Sequence, residues 1–164
     1  MHPVLTLVYL FTMHTYGSWL PDRARGYVKR GRGVLAADTQ MAGWYREAMT
    51  ADVVRWDAAQ QRAVIDVIRL HCEIKVWDPY AIATDPTHVH ALVGWRDRTE
   101  WPDVRRGLKT SITRALNERF GRRRWLSEGG SRKRVSKPEH FDHLWKVNLP
   151  SHRGACWDTD RSFG

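Results

Sequence analysis

The stretch "EIKVWDPYAIATDPTHVHALVGW", residues 73–95, contains two apolar runs that are separated by a short polar turn. Both runs are rich in β-branched and aromatic residues, which predicts strands over residues 73–84 and 88–95, the first of them bent at Asp78-Pro79. The "DPT" turn between them is short enough to favour antiparallel pairing. The sequence therefore predicts a β-hairpin at the centre of the fold.

Side chains alternate along the second strand of this hairpin. His88 and His90 are expected on one face, about 6.6 Å apart along the strand, with Val89 and Ala91 on the other face. Two imidazoles in this arrangement can converge on a metal ion, or they can form hydrogen bonds with structural neighbours. The chain contains eight histidines, so composition alone can produce such a pair, and both interpretations fit the sequence.

Two imidazoles are too few ligands for a metal site, so a third ligand has to come from elsewhere in the chain. The candidates lie in or after the last predicted helix: His140, Asp142, His143 and His152. His152, in "LPSHRG", follows that helix directly, and its alternative interpretation is a surface loop histidine.

The segments around the hairpin add a strand and several helices. Residues 4–13, "VLTLVYLFTM", predict a buried strand. Residues 14–38 predict a long loop rich in Gly and Arg, and residues 121–135 predict a basic turn with a further strand or hairpin. Apolar residues at helical spacing, capping residues and prolines predict the helices, which are expected over 39–51, Asp57 to Cys72, Trp101 to Phe120 and Pro138 to Pro150.

This order of elements predicts an α+β fold, in which an antiparallel sheet carries helices on one face in an arrangement close to the split βαβ motif. The helix-free face of the sheet would carry His88 and His90. We find no internal repeat and no interdomain linker. Residues 1–164 are therefore expected to form a single domain, with a long basic loop at 14–38 and a C-terminal helix and tail at 138–164.

The net charge of +9 is concentrated in one segment of the chain. Residues 96–137 contain fourteen Lys or Arg against five Asp or Glu, so the rest of the chain is balanced. Such a segregated positive region favours a polyanion partner, nucleic acid before an anionic membrane, with a solvated basic surface as the alternative. Arginine dominates this segment and suits phosphate binding, and the nine tryptophans offer possible surfaces for base stacking.

The composition also predicts the compartment. The apolar run at the N-terminus lacks the basic start and the cleavage site of a secretion signal, and no apolar stretch is long enough to span a bilayer. Cys72 and Cys156 are the only cysteines, too few for a disulfide framework. A cytoplasmic protein without a membrane partner is therefore expected.

Four segments, in order, resemble the single-tyrosine HUH transposases, and within them the IS200-like and REP-associated tyrosine transposases. They are "HTYGSWLP" (14–21), "THVHALV" (87–93), "LKTSITRAL" (108–116) and "WLSEGGSRKRV" (125–135). "HVH" matches the histidine–hydrophobe–histidine signature, and "TYGSWLP" is similar to the "TYGTWLP" element of that branch. The resemblance spans roughly residues 10–157.

The resemblance implies a ferredoxin-like core and binding of single-stranded DNA that contains a hairpin. It implies that His88 and His90 hold Mg²⁺ or Mn²⁺ at the scissile phosphate, with His152 in the place of the third ligand. A tyrosine on a late helix would then attack to give a 5′-phosphotyrosine. It further implies a bacterial, nucleoid-associated protein of DNA transposition and recombination, acting as a monomer or homodimer. Imidazole ligands suit softer ions than Mg²⁺, so the sequence leaves the metal open.

The chain departs from this family at the nucleophile. All of its tyrosines precede the histidine pair: Tyr9, Tyr16, Tyr27, Tyr45 and Tyr80. If His152 takes the place of the third ligand, the family tyrosine corresponds to Asn148, or to Val147 after a shift of one residue. Neither side chain can form the covalent intermediate. Either catalysis is lost, the tyrosine has been replaced, or another residue such as Tyr16 or Tyr27 supplies the nucleophile.

Three functions follow from these observations. The first is a transposase-type nuclease with a compromised nucleophile. The second is a non-catalytic, decayed or domesticated binder of hairpin-containing DNA. The third is a metal-dependent hydrolase unrelated to transposition.

The candidate DNA contacts are basic and aromatic residues, each with a structural or solvated role as its alternative. The phosphate contacts are expected from Arg105, Arg106, Lys109, Arg122, Arg123, Arg124, Arg132, Lys133 and Arg134. The long loop adds Tyr16, Trp19 and Arg25. Trp19 and Trp125 are the candidates for stacking on bases or capping a hairpin.

Overall fold

The computed structural model describes residues 6–18, 27–29, 33–35 and 53–159. The strands are β1 (Leu7–His14), β2 (Tyr27–Lys29), β3 (Gly33–Leu35), β4 (Asp78–Asp85), β5 (His88–Trp95), β6 (Ser131–Arg134) and β7 (Cys156–Asp158). The helices are α1 (Ala58–Lys75), α2 (Trp101–Phe120) and α3 (Pro138–His143). A π-helical turn (Leu144–Asn148) and a 3₁₀ turn (Leu149–Ser151) continue α3. We call residues 138–151 the C-terminal helical segment.

Five strands form one antiparallel sheet in the order β6-β1-β5-β4-β7, and β2 pairs with β3 separately. β5 runs between β1 and β4, which are connected through α1, so these elements form the predicted split βαβ unit. The described residues thus confirm the α+β fold. In the pairing of β5 with β1, His88 lies opposite His14 and His90 lies opposite Thr12.

The first strand of the central hairpin begins later than predicted. Residues 73–75 belong to α1, which ends where Val76 adopts the left-handed conformation with φ 57°. Glu73 and Lys75 are exposed and are good helix formers, so the helix continues past Cys72. The predicted irregularity near Pro79 is present as a shift of the pairing with β5.

The sheet separates two apolar clusters. α1 and α2 cover one face, where Ile68 and Leu108 are fully buried. On the other face Leu92 packs against Leu144 and Leu149 of the C-terminal helical segment. The two long helices share one face, as predicted, but the face that carries the histidines is not helix-free, because the C-terminal helical segment has its own apolar side and covers part of it.

Local sequence signals explain the two long helices. Asp57 caps α1 in a capping box with Gln60, whose N–H donates to Asp57 Oδ1 at 2.8 Å. α2 buries the predicted apolar stripe of Val104, Leu108, Ile112 and Leu116. The helix predicted over 39–51 and most of the predicted loop lie outside the described residues. None of the described helices has the length and apolar character to cross a bilayer.

α1 and α2 approach each other closely at His71. A Cβ on Gly107 would lie 3.0 Å from His71 Nε2, so the glycine makes room for the ring. His71 Nδ1 lies 2.7 Å from Ser111 Oγ, while its buried Nε2 has no hydrogen-bond partner among the described residues. Burial, and then the charge of Lys75, lowers the pKa of His71.

We expect this contact to make stability depend on pH. The pKa of His71 is lower in the folded protein than its ordinary 6.5, so the unfolded chain binds the proton more readily. The stability that neutral His71 gives to the folded protein is complete above the pKa of the unfolded chain. It is lost as the pH falls toward the pKa of the folded protein. Urea unfolding measures the free energy of unfolding at about pH 7.5 and 5.5. This free energy should decrease less between the two pH values for His71→Gln than for the unmodified protein. Equal losses would contradict this role of His71.

Candidate functional site

Three histidines from two distant segments of the chain meet on one face of the sheet: His88, His90 and His152. One ligand nitrogen from each lies within 4.8 Å of the other two. The ring centroids are 4.7 Å apart for His88 and His90, 4.8 Å for His90 and His152, and 6.0 Å for His88 and His152. A metal ion binds imidazole nitrogens at about 2 Å, so its ligand rings must lie as close together as these three do.

β5 and the C-terminal helical segment position these rings. His88 and His90 are two residues apart on β5 and therefore share a face. His152 follows the 3₁₀ turn directly, and the segment before it packs on the same face through Leu149. The structure brings His152 to the pair, while the other predicted third ligands lie on α3 outside this group: His140, Asp142 and His143.

Contacts at Nδ1 orient two of the rings. His90 Nδ1 lies 2.7 Å from the hydroxyl of Thr12, its register partner on β1. His152 Nδ1 lies 3.2 Å from the carbonyl oxygen of Leu149 and 3.3 Å from that of Asn148. A carbonyl can only accept, so Nδ1 of His152 donates in these contacts. In the neutral ring this leaves the lone pair on Nε2, where it is available to a metal ion.

Asp85 has a similar effect on His88. Asp85 Oδ1 lies 3.0 Å from His88 Nδ1, and it accepts the backbone N–H groups of Thr87 and His88 at 2.8 and 3.1 Å. Burial acts to raise the pKa of Asp85, but the Thr87 hydrogen bonds and the His88 charge outweigh it, so the pKa is lowered overall. The ionised carboxylate favours the His88 tautomer with its proton on Nδ1 and its lone pair on Nε2.

The chemistry of the three rings fits a divalent metal. Burial lowers the pKa of His90 to about 3, with further lowering by His88, His152 and His14. His90 is therefore neutral at physiological pH, so protons do not compete with a metal for it. Three nitrogen donors suit a transition ion such as Mn²⁺ or Zn²⁺, whereas Mg²⁺ prefers oxygen ligands. Of the two predicted ions, the donor set favours Mn²⁺.

Two arginines predicted to contact phosphates lie together on one tryptophan. The guanidinium groups of Arg105 and Arg132 lie 5.2 and 4.1 Å from the ring centroid of Trp101. Arg105 also donates to the Gly130 carbonyl at 2.7 Å. Burial and the charge of Arg132 lower the pKa of Arg105. Two cations held side by side in this way suit a phosphate group that accepts hydrogen bonds from both.

The other predicted phosphate contacts differ in their surroundings. Lys109 Nζ donates to the carbonyls of Ser127 and Gly129, both at 2.7 Å, and burial lowers its pKa to about 8. Lys109 therefore stabilises the turn after α2. Arg106 is exposed and pairs with Asp103 at 2.7 Å. The remaining candidates are all exposed: Arg122, Arg123, Arg124, Lys133 and Arg134.

Residues 122–130, which we call the basic segment, border the histidines. The Ser127 N–H donates to the carbonyl of His14 at 3.0 Å. His14, at the end of β1, is the register partner of His88. The segment therefore lies one strand away from the candidate metal ligands and brings positive charge to that end of the sheet.

Two aromatic residues predicted to contact DNA are buried instead. Trp125 is 2% exposed and donates from Nε1 to Asn117 Oδ1 at 2.9 Å. Tyr16 is 6% exposed, with the Arg124 guanidinium 4.6 Å above its ring. Burial leaves no ring face on which a base can stack, so the structural alternative holds for both. Trp19, Arg25, Tyr45 and the side chain of Tyr27 lie outside the described part of the chain.

The position expected for the nucleophile lies one helical turn before His152. Asn148 ends the π-helical turn, and its carbonyl oxygen contacts the His152 ring. Asn148 is exposed, and Val147 is 56% exposed. Neither side chain can act as a nucleophile. π-helical turns are frequent at functional sites, and this one lies beside the histidines.

Two supports of the site are not apparent in the sequence motifs. Asp85 had a readable signal, because "DPT" places an Asp where its side chain can accept backbone N–H groups two and three residues later. Thr12 has no such signal. Its contact with His90 depends on the pairing register of two strands that are distant in sequence.

No family model and no curated protein matches the chain. Several solved structures are similar to it, and two of them are transposases by description. A REP-associated tyrosine transposase bound to a REP hairpin has 10% sequence identity and a TM-score of 0.48, with 88% of this chain and 66% of that chain covered. A protein from Deinococcus radiodurans R1 assigned as a transposase has 15% identity and a TM-score of 0.48, with 94% and 97% covered. This chain spans just under two thirds of the length of the first.

We expect one Mn²⁺ or Zn²⁺ ion to bind per chain, and His152→Ala to weaken binding about tenfold or more because one of three ligands is lost. Isothermal titration calorimetry measures both. His143→Ala, on the same helical segment and exposed, is the matched control and should bind like the unmodified protein. Equal affinity of the His152→Ala variant and the control would show that His152 is not a ligand.

Proposed function

We propose that this protein is a transposase-like protein that binds single-stranded, hairpin-containing DNA and holds a divalent metal ion at a phosphate of that DNA. His88, His90 and His152 hold the ion in this proposal. The observation that carries it is the meeting of these three imidazoles on one sheet face, with the basic segment one strand away. The full chain would act as one HUH-like domain in the bacterial cytoplasm, as a monomer or homodimer.

The site's residues have distinct tasks in this proposal. A bound divalent ion would supply positive charge that stabilises the negative charge developing on a phosphodiester. His90 stays neutral and ready to bind, because burial holds its pKa at about 3. Asp85 fixes the orientation of His88. Arg105 and Arg132, which lie beside Trp101 on the side of the sheet that α2 covers, bind other backbone phosphates of the DNA without reading its sequence.

The position that corresponds to the family tyrosine has no group that can form a covalent bond to DNA. Asn148 and Val147 occupy the expected position of the tyrosine, and Tyr16 is buried. A protein with the metal ligands and the basic surface but without the nucleophile binds DNA and forms no covalent intermediate. Non-covalent DNA binding is therefore the function that we favour. Metal-dependent hydrolysis of DNA is the second candidate, because the histidine group is retained.

A tyrosine at residue 148 should restore covalent chemistry. Asn148 is exposed and lies one turn before His152, so a hydroxyl introduced there is close to the candidate metal ligands. After incubation with hairpin-containing single-stranded DNA and Mn²⁺, Asn148→Tyr should give a slowly migrating protein–DNA band on a denaturing gel. The unmodified protein should shift DNA on a native gel and give no such band.

Asn148→Phe, which has the ring without the hydroxyl, is the control and should give no covalent band. Val147→Tyr tests the alternative position. A covalent band from the unmodified protein would mean that another residue supplies the nucleophile. Cleavage without a covalent band would favour the hydrolase. If neither tyrosine variant gives a band, the assignment of the nucleophile position is wrong.

DNA affinity should decrease steeply with salt, because Lys and Arg displace counterions from the phosphates. Arg132→Gln should weaken binding to all DNA sequences alike and reduce the slope of log Kd against log salt concentration by about one. Fluorescence anisotropy between about 50 and 200 mM salt measures this. Arg62→Gln is the control, since Arg62 is an exposed cation on α1, and its slope should be unchanged. A flat salt response of the unmodified protein would contradict phosphate binding.

A further inference from the structure

A buried glutamine connects the third histidine to the hairpin that carries the other two. Gln61, on α1, is 6% exposed. Its Oε1 accepts the Thr84 hydroxyl at 2.9 Å and the Ala155 N–H at 3.2 Å. Its Nε2 donates to the Trp56 carbonyl at 3.1 Å. One side chain therefore joins the start of α1, the end of β4 and the chain just after His152.

Thr84 strengthens this connection. Its N–H donates to the Ala155 carbonyl at 2.9 Å, and its hydroxyl lies 2.9 Å from the same oxygen. Thr84 is the register partner of Val89, the residue between His88 and His90. The position of Ala155 is thus fixed relative to the strand that holds both histidines.

The packing between His152 and Ala155 allows little freedom. A Cβ on Gly154 would overlap the Thr84 carbonyl oxygen and Gln61 Oε1, so glycine is required there. On its other side, the His152 N–H donates to the Leu149 carbonyl at 3.2 Å. His152 is held by the end of a helical segment before it and by the Gln61 contacts after it.

We propose that Gln61 is a positioning residue that sets the place of His152 and thereby the metal affinity of the site. The inference rests on the proposed metal centre. Gln61 is not a ligand, and it acts through the backbone of residues 154–155. Buried polar groups whose partners are all present fix one conformation. Residues that orient metal ligands typically change affinity by about 10- to 100-fold.

The test is a double-mutant cycle read by Mn²⁺ affinity in isothermal titration calorimetry. Gln61→Leu removes the hydrogen bonds and keeps a similar volume. We expect it to weaken Mn²⁺ binding about tenfold. In the His152→Ala protein, Gln61→Leu should cause no further loss of Mn²⁺ affinity, because the ligand that Gln61 positions is already gone. The proposal would be overturned if Gln61→Leu alone left Mn²⁺ affinity unchanged. It would also be overturned if Gln61→Leu reduced that affinity equally with and without His152.

Gln60→Leu is the matched control, since the Gln60 side chain only closes the exposed capping box of α1. It should leave Mn²⁺ affinity unchanged. Hydrogen exchange at the Ala155 amide should accelerate in Gln61→Leu and not in Gln60→Leu. Should Gln61→Leu not fold, Thr84→Val removes the hydroxyl that donates to Gln61 and should weaken Mn²⁺ binding in the same His152-dependent way.

The outcomes separate this inference from the proposed function. If the unmodified protein binds no Mn²⁺, or binds it independently of His152, the metal centre and the role of Gln61 both fail. If binding requires His152 but Gln61→Leu binds as tightly as the unmodified protein, only the role of Gln61 fails.

Discussion

Antiparallel pairing of β5 with both of its neighbours is the constraint on which the site depends. The pairing puts His88 and His90 on one face, with Thr12 beside His90 on β1 and Thr84 beside Val89 on β4. A slip of one residue would turn both histidines toward α1 and α2, because side chains alternate along a strand. Val89 and Ala91, which alternate with the two histidines along β5, are fully buried against those helices. Burial of this apolar face therefore fixes the orientation of the histidine face.

The same contacts reconcile the two interpretations of the histidine pair. His90 and His152 use Nδ1 for contacts with the protein, as structural histidines do, and this leaves Nε2 as the nitrogen that is available to a metal ion. Burial, and then the charges of His88, His152 and His14, lowers the pKa of His90 to about 3. A neutral imidazole is also the form that binds a cation.

Features encoded over short distances could be predicted from the sequence, and features set by tertiary contacts could not. β5 and the apolar stripe of α2 follow from alternation and helical spacing, and both were predicted correctly. The end of α1 was placed at Cys72 because residues 73–75 also suit a strand. That the C-terminal helical segment covers the histidine face depends on Leu144 and Leu149 finding Leu92, which no local pattern reveals. The resemblance placed His152 among the ligands, whereas spacing alone left four candidates.

The side chain at residue 148, where the nucleophile is expected, is not among the described contacts that hold His152 in place. At residue 148 the described contacts to His152 and Ser151 come from the backbone carbonyl of Asn148. The side chains that anchor the helical segment are Leu144 and Leu149, which are buried on either side of it. The side chain at residue 148 can therefore change while His152 keeps its place. The proposed metal ligation and phosphate binding do not depend on that side chain, so a chain without a tyrosine there can still have both.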